Sequence, residues 1–238
     1  MKIIKRITKT LALVAIYIMC AYNYLIAKGF IYNGDTFIFS NVAHADENSF
    51  SRPVSGDIAL SEERTRIKGD INAPLTMYVF SSMSCAHCRD FHKFVLPKLE
   101  RDFISKGKLK FIFVHFPLET LSMRAAKLSL CAPKENFYPL IEELYDSKDW
   151  LFSGNEKKLY EHVKKYGMNE TDIKNCNENK KVTSDILLVR DQIMDTFKIQ
   201  ATPSFIIEGP DGKELITGNK GYDKIKKYLE KRLQGVQN

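Results

Sequence analysis

Leu75-Thr76-Met77-Tyr78-Val79-Phe80 is a short, β-branched and aromatic run, and Ser84-Cys85-Ala86-His87-Cys88-Arg89 follows it almost at once. The first has the composition of a buried strand. Beyond the second, Phe91, Val95, Leu99 and Phe103 recur every four residues, the spacing of a helix that buries one face. The C-x-x-C thus falls where a strand gives way to a helix, with Cys85 at the helix start and Cys88 one turn in. Unpaired backbone N–H groups and the positive end of the helix dipole favour a thiolate at Cys85. A hydrogen bond or positive charge from His87 favours it further. On one turn the two sulfurs are within bonding reach, so the pair reads as a reversible dithiol/disulfide switch.

Working outward, residues 110–116 (Lys-Phe-Ile-Phe-Val-His-Phe) form a second, nearly apolar strand, as a central strand covered on both faces would be. Strand, helix and strand together predict a right-handed βαβ crossover. Pro97 inside the helix is expected to kink it or to cost a hydrogen bond. From 119 to 198 the apolar residues keep helical spacing throughout, which predicts an all-helical insertion of several short helices. Residues 204–208, a Gly209-Pro210-Asp211-Gly212 turn and residues 214–217 make a hairpin, and a final helix buries Ile225, Tyr228, Leu229 and Leu233. Residues 66–71 are a further candidate strand at the sheet edge, and the polar stretch 46–65 reads as a linker. The fold class is α/β, β-α-β and β-β-α halves separated by the helical block, in one domain over 66–238.

The formal net charge of +7, from 36 Lys plus Arg against 29 Asp plus Glu, raises nucleic acid as a partner. Its distribution removes that reading. Lys2, Lys5, Arg6, Lys9 and Lys28 against Asp35 place +4 within residues 1–45, and the remaining lysines lie on polar helical faces without interleaved aromatics. Basic residues before the apolar run 11–27 are the pattern of an export signal or membrane anchor. Ala43-His44-Ala45 offers a cleavage site for the first alternative. Both alternatives place the rest of the chain outside the cytoplasm. With Cys20 set apart, four cysteines remain in an oxidising compartment: Cys85, Cys88, Cys131 and Cys176.

Other uses of the C-x-x-C fit less well. Haem attachment needs a histidine where Arg89 stands, and structural zinc needs a second pair of ligands, for which His92 is the sole nearby candidate. No metal or other cofactor is expected. Ala201-Thr202-Pro203 sits directly before the third strong strand, where proline cannot donate a ladder hydrogen bond. A cis Thr202–Pro203 bond there would expose the Thr202 backbone beside the sulfurs, as an edge on which an extended substrate could pair. His115, Trp150 and Glu119 have bland readings: a core histidine, core packing and a solvated acid.

With these residues in place, the chain over about 66–233 resembles the thioredoxin superfamily and, within it, the DsbA-type thiol:disulfide oxidoreductases of bacterial envelopes. The resemblance is carried by Gly69-Asp70-Ile71-Asn72-Ala73-Pro74, Cys85-Ala86-His87-Cys88, Phe116-Pro117-Leu118, the helical insertion and Thr202-Pro203. It implies Cys85 as nucleophile, Cys88 as resolving thiol and Pro203 as a cis proline. It also implies reduced, unfolded clients as substrates, and a membrane thiol oxidase that restores the disulfide. The Ala86-His87 dipeptide departs from the Pro-His of the best-known oxidases, which bears on the reduction potential. Pairing Cys85 with Cys88 leaves Cys131 and Cys176 as a second disulfide, which some relatives also carry, or as two separate buried thiols. The expected protein is a monomeric envelope oxidase. An isomerase or reductase with the same pair, and a metal-binding or non-catalytic adaptor on the same fold, are the alternatives.

Overall fold

A computed structural model describes residues 30–32, 37–39, 50–61, 64–153 and 156–236 of the chain. Two units are distinguished, residues 1–49 and 50–238. In the first, β1 (Phe30–Tyr32) and β2 (Phe37–Phe39) pair antiparallel, Phe30 opposite Phe39. The candidate export segment at 11–27 and the cleavage motif at 43–45 lie outside the described residues. No helix among the described residues is long and apolar enough to cross a membrane.

The second unit is built on six strands: β3 (Arg52–Val54), β4 (Ile67–Lys68), β5 (Leu75–Ser81), β6 (Leu109–His115), β7 (Ser204–Gly209) and β8 (Gly212–Thr217). Their order across the sheet is β3-β8-β7-β5-β6-β4. Only β5 and β6 run parallel, Leu75 opposite Leu109 through Ser81 opposite His115, as the βαβ crossover requires. Alternate residues of the central strands point to opposite faces. Leu75, Met77, Val79, Phe111, Phe113, Phe205 and Ile207 enter the larger core, whereas Phe80, Ile112, Val114, Ile206 and Leu215 pack on the other side against Ile193 and Phe197. Burial on both faces explains why the central strands read as apolar runs without alternation.

Expectations change at both edges of the sheet. Residues 46–65 are not merely a linker: Arg52–Val54 adds the edge strand β3 to β8, with Arg52 opposite Leu215. An edge strand pairs on one side only, so Pro53 is tolerated there. Phe50 packs on Tyr228 with ring centroids 5.3 Å apart, and Arg52 donates to the Phe197 carbonyl at 2.5 Å. At the opposite edge, β4 is shorter than the expected 66–71. Gly69 turns the chain out of the strand at φ +99°, and a Cβ there would stand 2.7 Å from the Ile104 side chain.

The long helical run 86–104, here α1, does not break at Pro97. It passes through Ala86–Asp90, a wide π turn at Phe91–Val95, Leu96–Leu99 and a second π turn at Glu100–Ile104. The wide turns on either side accommodate the donor that proline lacks. The insertion then supplies α2 (Thr120–Cys131), a 3₁₀ turn (Lys134–Asn136), α3 (Phe137–Asp146), α4 (Asp149–Phe152), α5 (Glu156–Lys165), α6 (Glu170–Glu178) and α7 (Lys180–Phe197). α8 (Tyr222–Val236) closes the fold. Glu119 is not simply solvated: its carboxylate accepts from the Leu121 and Ser122 N–H groups and caps α2. Trp150 is fully buried, and its indole donates to the Leu144 carbonyl at 2.8 Å.

Candidate active site

Cys85 occupies the N-cap of α1 with extended backbone (φ −81°, ψ 121°), its carbonyl accepting the first helical hydrogen bond from the Arg89 N–H at 3.1 Å. Both Cys85 and Cys88 are free thiols, Cys85 partly open to solvent and Cys88 fully buried. Cys88 begins the stripe that continues through Phe91, Val95 and Leu99 into the core. One sulfur is therefore open to solvent and the other faces the interior.

Their acidities diverge accordingly. The Cys85 thiol is lowered from 9.0 to about 5, first by the hydrogen bond from the Cys88 thiol. The Thr202 side chain and the backbone N–H groups of Cys88 and His87 add to this, while partial burial opposes it. Cys88 is pushed far up, because burial and the neighbouring Cys85 sulfur both disfavour a second negative charge. His87 acts through its backbone N–H; its side chain and that of Ala86 are exposed.

The Thr202–Pro203 peptide is cis. It brings the Thr202 carbonyl to 3.4 Å from Cys85 Sγ, so the loop before β7 and the start of α1 meet across the sulfurs. The Thr202 hydroxyl is buried without a hydrogen-bond partner, and its presence favours the thiolate form of both cysteines. Cys131, at the end of α2, is bonded to Cys176 in α6, Cα atoms 6.1 Å apart. That bridge ties two helices of the insertion together and leaves Cys85 and Cys88 as the free pair. No group of three or more His, Cys, Asp or Glu placed to hold a metal ion occurs among the described residues.

Sequence reasoning missed the buried polar cluster at the end of β5. Ser81, the last residue of β5, is fully buried and hydrogen-bonds through Oγ to the Tyr145 hydroxyl of α3 at 2.8 Å. Tyr145 also donates to the Ser82 carbonyl at 3.2 Å. Its ring stacks on the buried His92 imidazole, centroids 4.4 Å apart and 21° between planes. Burial lowers the His92 pKa to about 3 and keeps the ring neutral. His115 is a hydrogen-bonded core histidine, its Nε2 3.0 Å from Ser129 Oγ.

Residues 61–231 match the family model described as Thioredoxin. Disulfide bond formation protein D of Bacillus subtilis is 26% identical over 181 residues, a match covering 71% of this chain and 77% of that protein. A Rickettsia conorii relative named as a protein-disulfide oxidoreductase is 22% identical over 176 residues, covering 73% of this chain and 62% of the relative. The match thus spans under two thirds of that relative's length. Among solved structures, Wolbachia pipientis α-DsbA1 superposes with a TM-score of 0.66 at 25% identity, covering 75% of this chain and 94% of that one. Oxidised BdbD of Bacillus subtilis gives 0.63 at 27%, covering 76% and 98%. By the family match over residues 61–231 and the likeness to these solved structures, the chain belongs to the thioredoxin family, within its DsbA-type branch of thiol:disulfide oxidoreductases.

Proposed function

We propose that this chain is an envelope thiol oxidase that introduces disulfide bonds into exported, unfolded clients. The observation that carries the reading is the asymmetry of the pair: a half-open Cys85 that titrates at about 5, above a buried Cys88 whose thiol holds its proton. A stabilised Cys85 thiolate favours the reduced protein, which makes the Cys85–Cys88 disulfide an oxidant. A client thiolate attacks Cys85 Sγ, the Cys85–Cys88 bond breaks, and its electron pair leaves on Cys88. The second client thiol, deprotonated, attacks the client sulfur of the mixed disulfide and releases Cys85 as a thiolate. Two electrons pass to the protein; of the two client protons, one ends on Cys88 and one in solvent.

The Thr202 backbone beside the sulfurs supplies a pairing edge for an extended client without reading its side chains. Reoxidation falls to a membrane thiol oxidase, and the basic and apolar N-terminus supports export to the bacterial periplasm, where the chain is free after cleavage or held at the inner membrane by an uncleaved anchor.

Replacing Cys85 with Ser abolishes oxidation of a reduced client on this assignment; retained activity refutes it. Equilibration with glutathione decides direction: a potential near about −120 mV marks an oxidase and one near about −270 mV a reductase.

A further inference from the structure

The outer face of α8 carries charge that nothing in the fold answers. Lys224, Lys227 and Lys231 follow one another at three- and four-residue spacing and so share one face of the helix. All three are exposed, and none of their side chains has an ion-pair or hydrogen-bond partner among the described residues. Lys68, Lys93, Lys164 and Lys181 by contrast each stand against a carboxylate. Two acids border the face: Glu230, whose carboxylate lies 3.9 Å from Lys226 Nζ, and the exposed Asp223. The balance stays positive.

The three lysines line an open groove together with Tyr228 and Phe50, whose rings pack on each other. Phe50 is the first residue of the second unit, and the apolar run 11–27 with its basic flank precedes it in the chain. The residue at which the tether joins this unit is therefore itself a wall of the groove. Cations beside an aromatic pair suit a lipid headgroup layer, where ammonium groups meet phosphates and rings rest at the interface.

We propose that the Lys224, Lys227 and Lys231 face of α8, with Phe50 and Tyr228, docks on the anionic lipid surface of the membrane that holds the N-terminal anchor. The docking rests on the anchored alternative of the reading above. Three lysines at an anionic surface are together worth about a hundredfold in affinity. That is too little to hold a free chain on a membrane, but it fixes the orientation of a tethered one, because the tether makes the second contact intramolecular. None of the groove residues belongs to the dithiol site, so docking uses no group that a client meets.

The test is amine labelling of the full chain in lipid vesicles, read lysine by lysine by mass spectrometry. In phosphatidylcholine and phosphatidylglycerol at about two to one, Lys224, Lys227 and Lys231 are expected to label at least about threefold more slowly than in phosphatidylcholine alone. Lys174 on α6 and Lys180 on α7, both exposed, are the references and keep their rates within about twofold. Salt at about 0.5 M removes the protection, because charges are then screened beyond about 4 Å. Lys227→Gln, a change at an exposed position, is expected to return Lys224 and Lys231 most of the way to the rate in the neutral vesicles. Equal labelling of the three lysines in the two compositions, or an equal slowing of Lys174 and Lys180, overturns the inference and leaves the anchor standing. N-terminal sequencing of the chain recovered from the envelope tests the anchor separately. A mature chain that begins at Asp46 has lost its tether, and the docking then fails together with the anchored alternative.

Discussion

Removing the Cys88 sulfur tests the origin of the Cys85 acidity directly. The hydrogen bond from Cys88 is the largest cause of lowering Cys85 from 9.0 to about 5. A hydrogen bond to a charged group contributes about 1.5–3 kcal/mol. Cys88→Ala therefore moves the Cys85 titration midpoint upward by about 1–2 in pH, whereas Cys88→Ser keeps a donor and stays closer to wild type. The assay is the pH dependence of alkylation by iodoacetamide, with Cys131 and Cys176 silent in their disulfide. In the intact pair the consequence is redox poise. At pH 7 a thiol titrating at about 5 and not 9.0 favours the reduced protein by about 2.7 kcal/mol before screening. About half of that survives at a sulfur half open to solvent, which is worth about 30 mV. The sign follows from a depressed acid: the contribution is complete above about 9 and disappears as pH falls through about 5. An unchanged or lower midpoint in Cys88→Ala refutes the reasoning and assigns the acidity to the helix N-terminus and Thr202 alone.

The other predictions concern the scaffold. Replacing Cys131 and Cys176 together with Ala opens a cross-link across 45 residues and lowers the urea-unfolding free energy by about 4 kcal/mol in the chain-entropy account; a loss under about 1 kcal/mol contradicts it. Glu119→Ala removes the α2 cap and costs about 1 kcal/mol, measured in the same way, and Glu119→Gln retains most of the stability because its amide oxygen still accepts. Trp150→Ala costs about 3–5 kcal/mol through the cavity it leaves, and Trp150→Phe less, through the unpaired Leu144 carbonyl. Equal costs for Phe and Ala at position 150 contradict the packing assignment.

Residues with a local signature were legible in the sequence. The apolar runs at β5 and β6, the four-residue spacing of Phe91, Val95, Leu99 and Phe103, the turn at 209–212 and the helical block each carry their own period or punctuation. Arg52–Val54 carries none: an edge strand packs on fewer neighbours, so a polar sequence with a proline suffices. Glu119 did have a signal, a carboxylate three residues before Ser122, whose hydroxyl bonds back to the chain at the cap. It is the reverse of the usual capping order and reads as an ordinary exposed acid. The Ser81–Tyr145 contact spans 64 residues and joins a strand end to the insertion, so nothing in either segment announces it.

The asymmetry of the dithiol follows from the way the helix is attached to the sheet. Cys88, Phe91, Val95 and Leu99 form one helical stripe, and burying it holds α1 against β5 and β6. Cys85 lies one turn earlier, at the cap, where the helix has not yet closed over the chain and its first N–H groups are unpaired. The apolar burial that stabilises the helix therefore also keeps the second thiol protonated, and the helix end it leaves uncovered stabilises the first as a thiolate. A protonated Cys88 in turn donates to Cys85, so each sulfur's environment reinforces the other's. Two cysteines placed mid-helix at the same spacing would share one environment and would lack this division. The strand-to-helix junction is what gives the first and last of four consecutive residues an acidic, partly open thiol and a buried, protonated one.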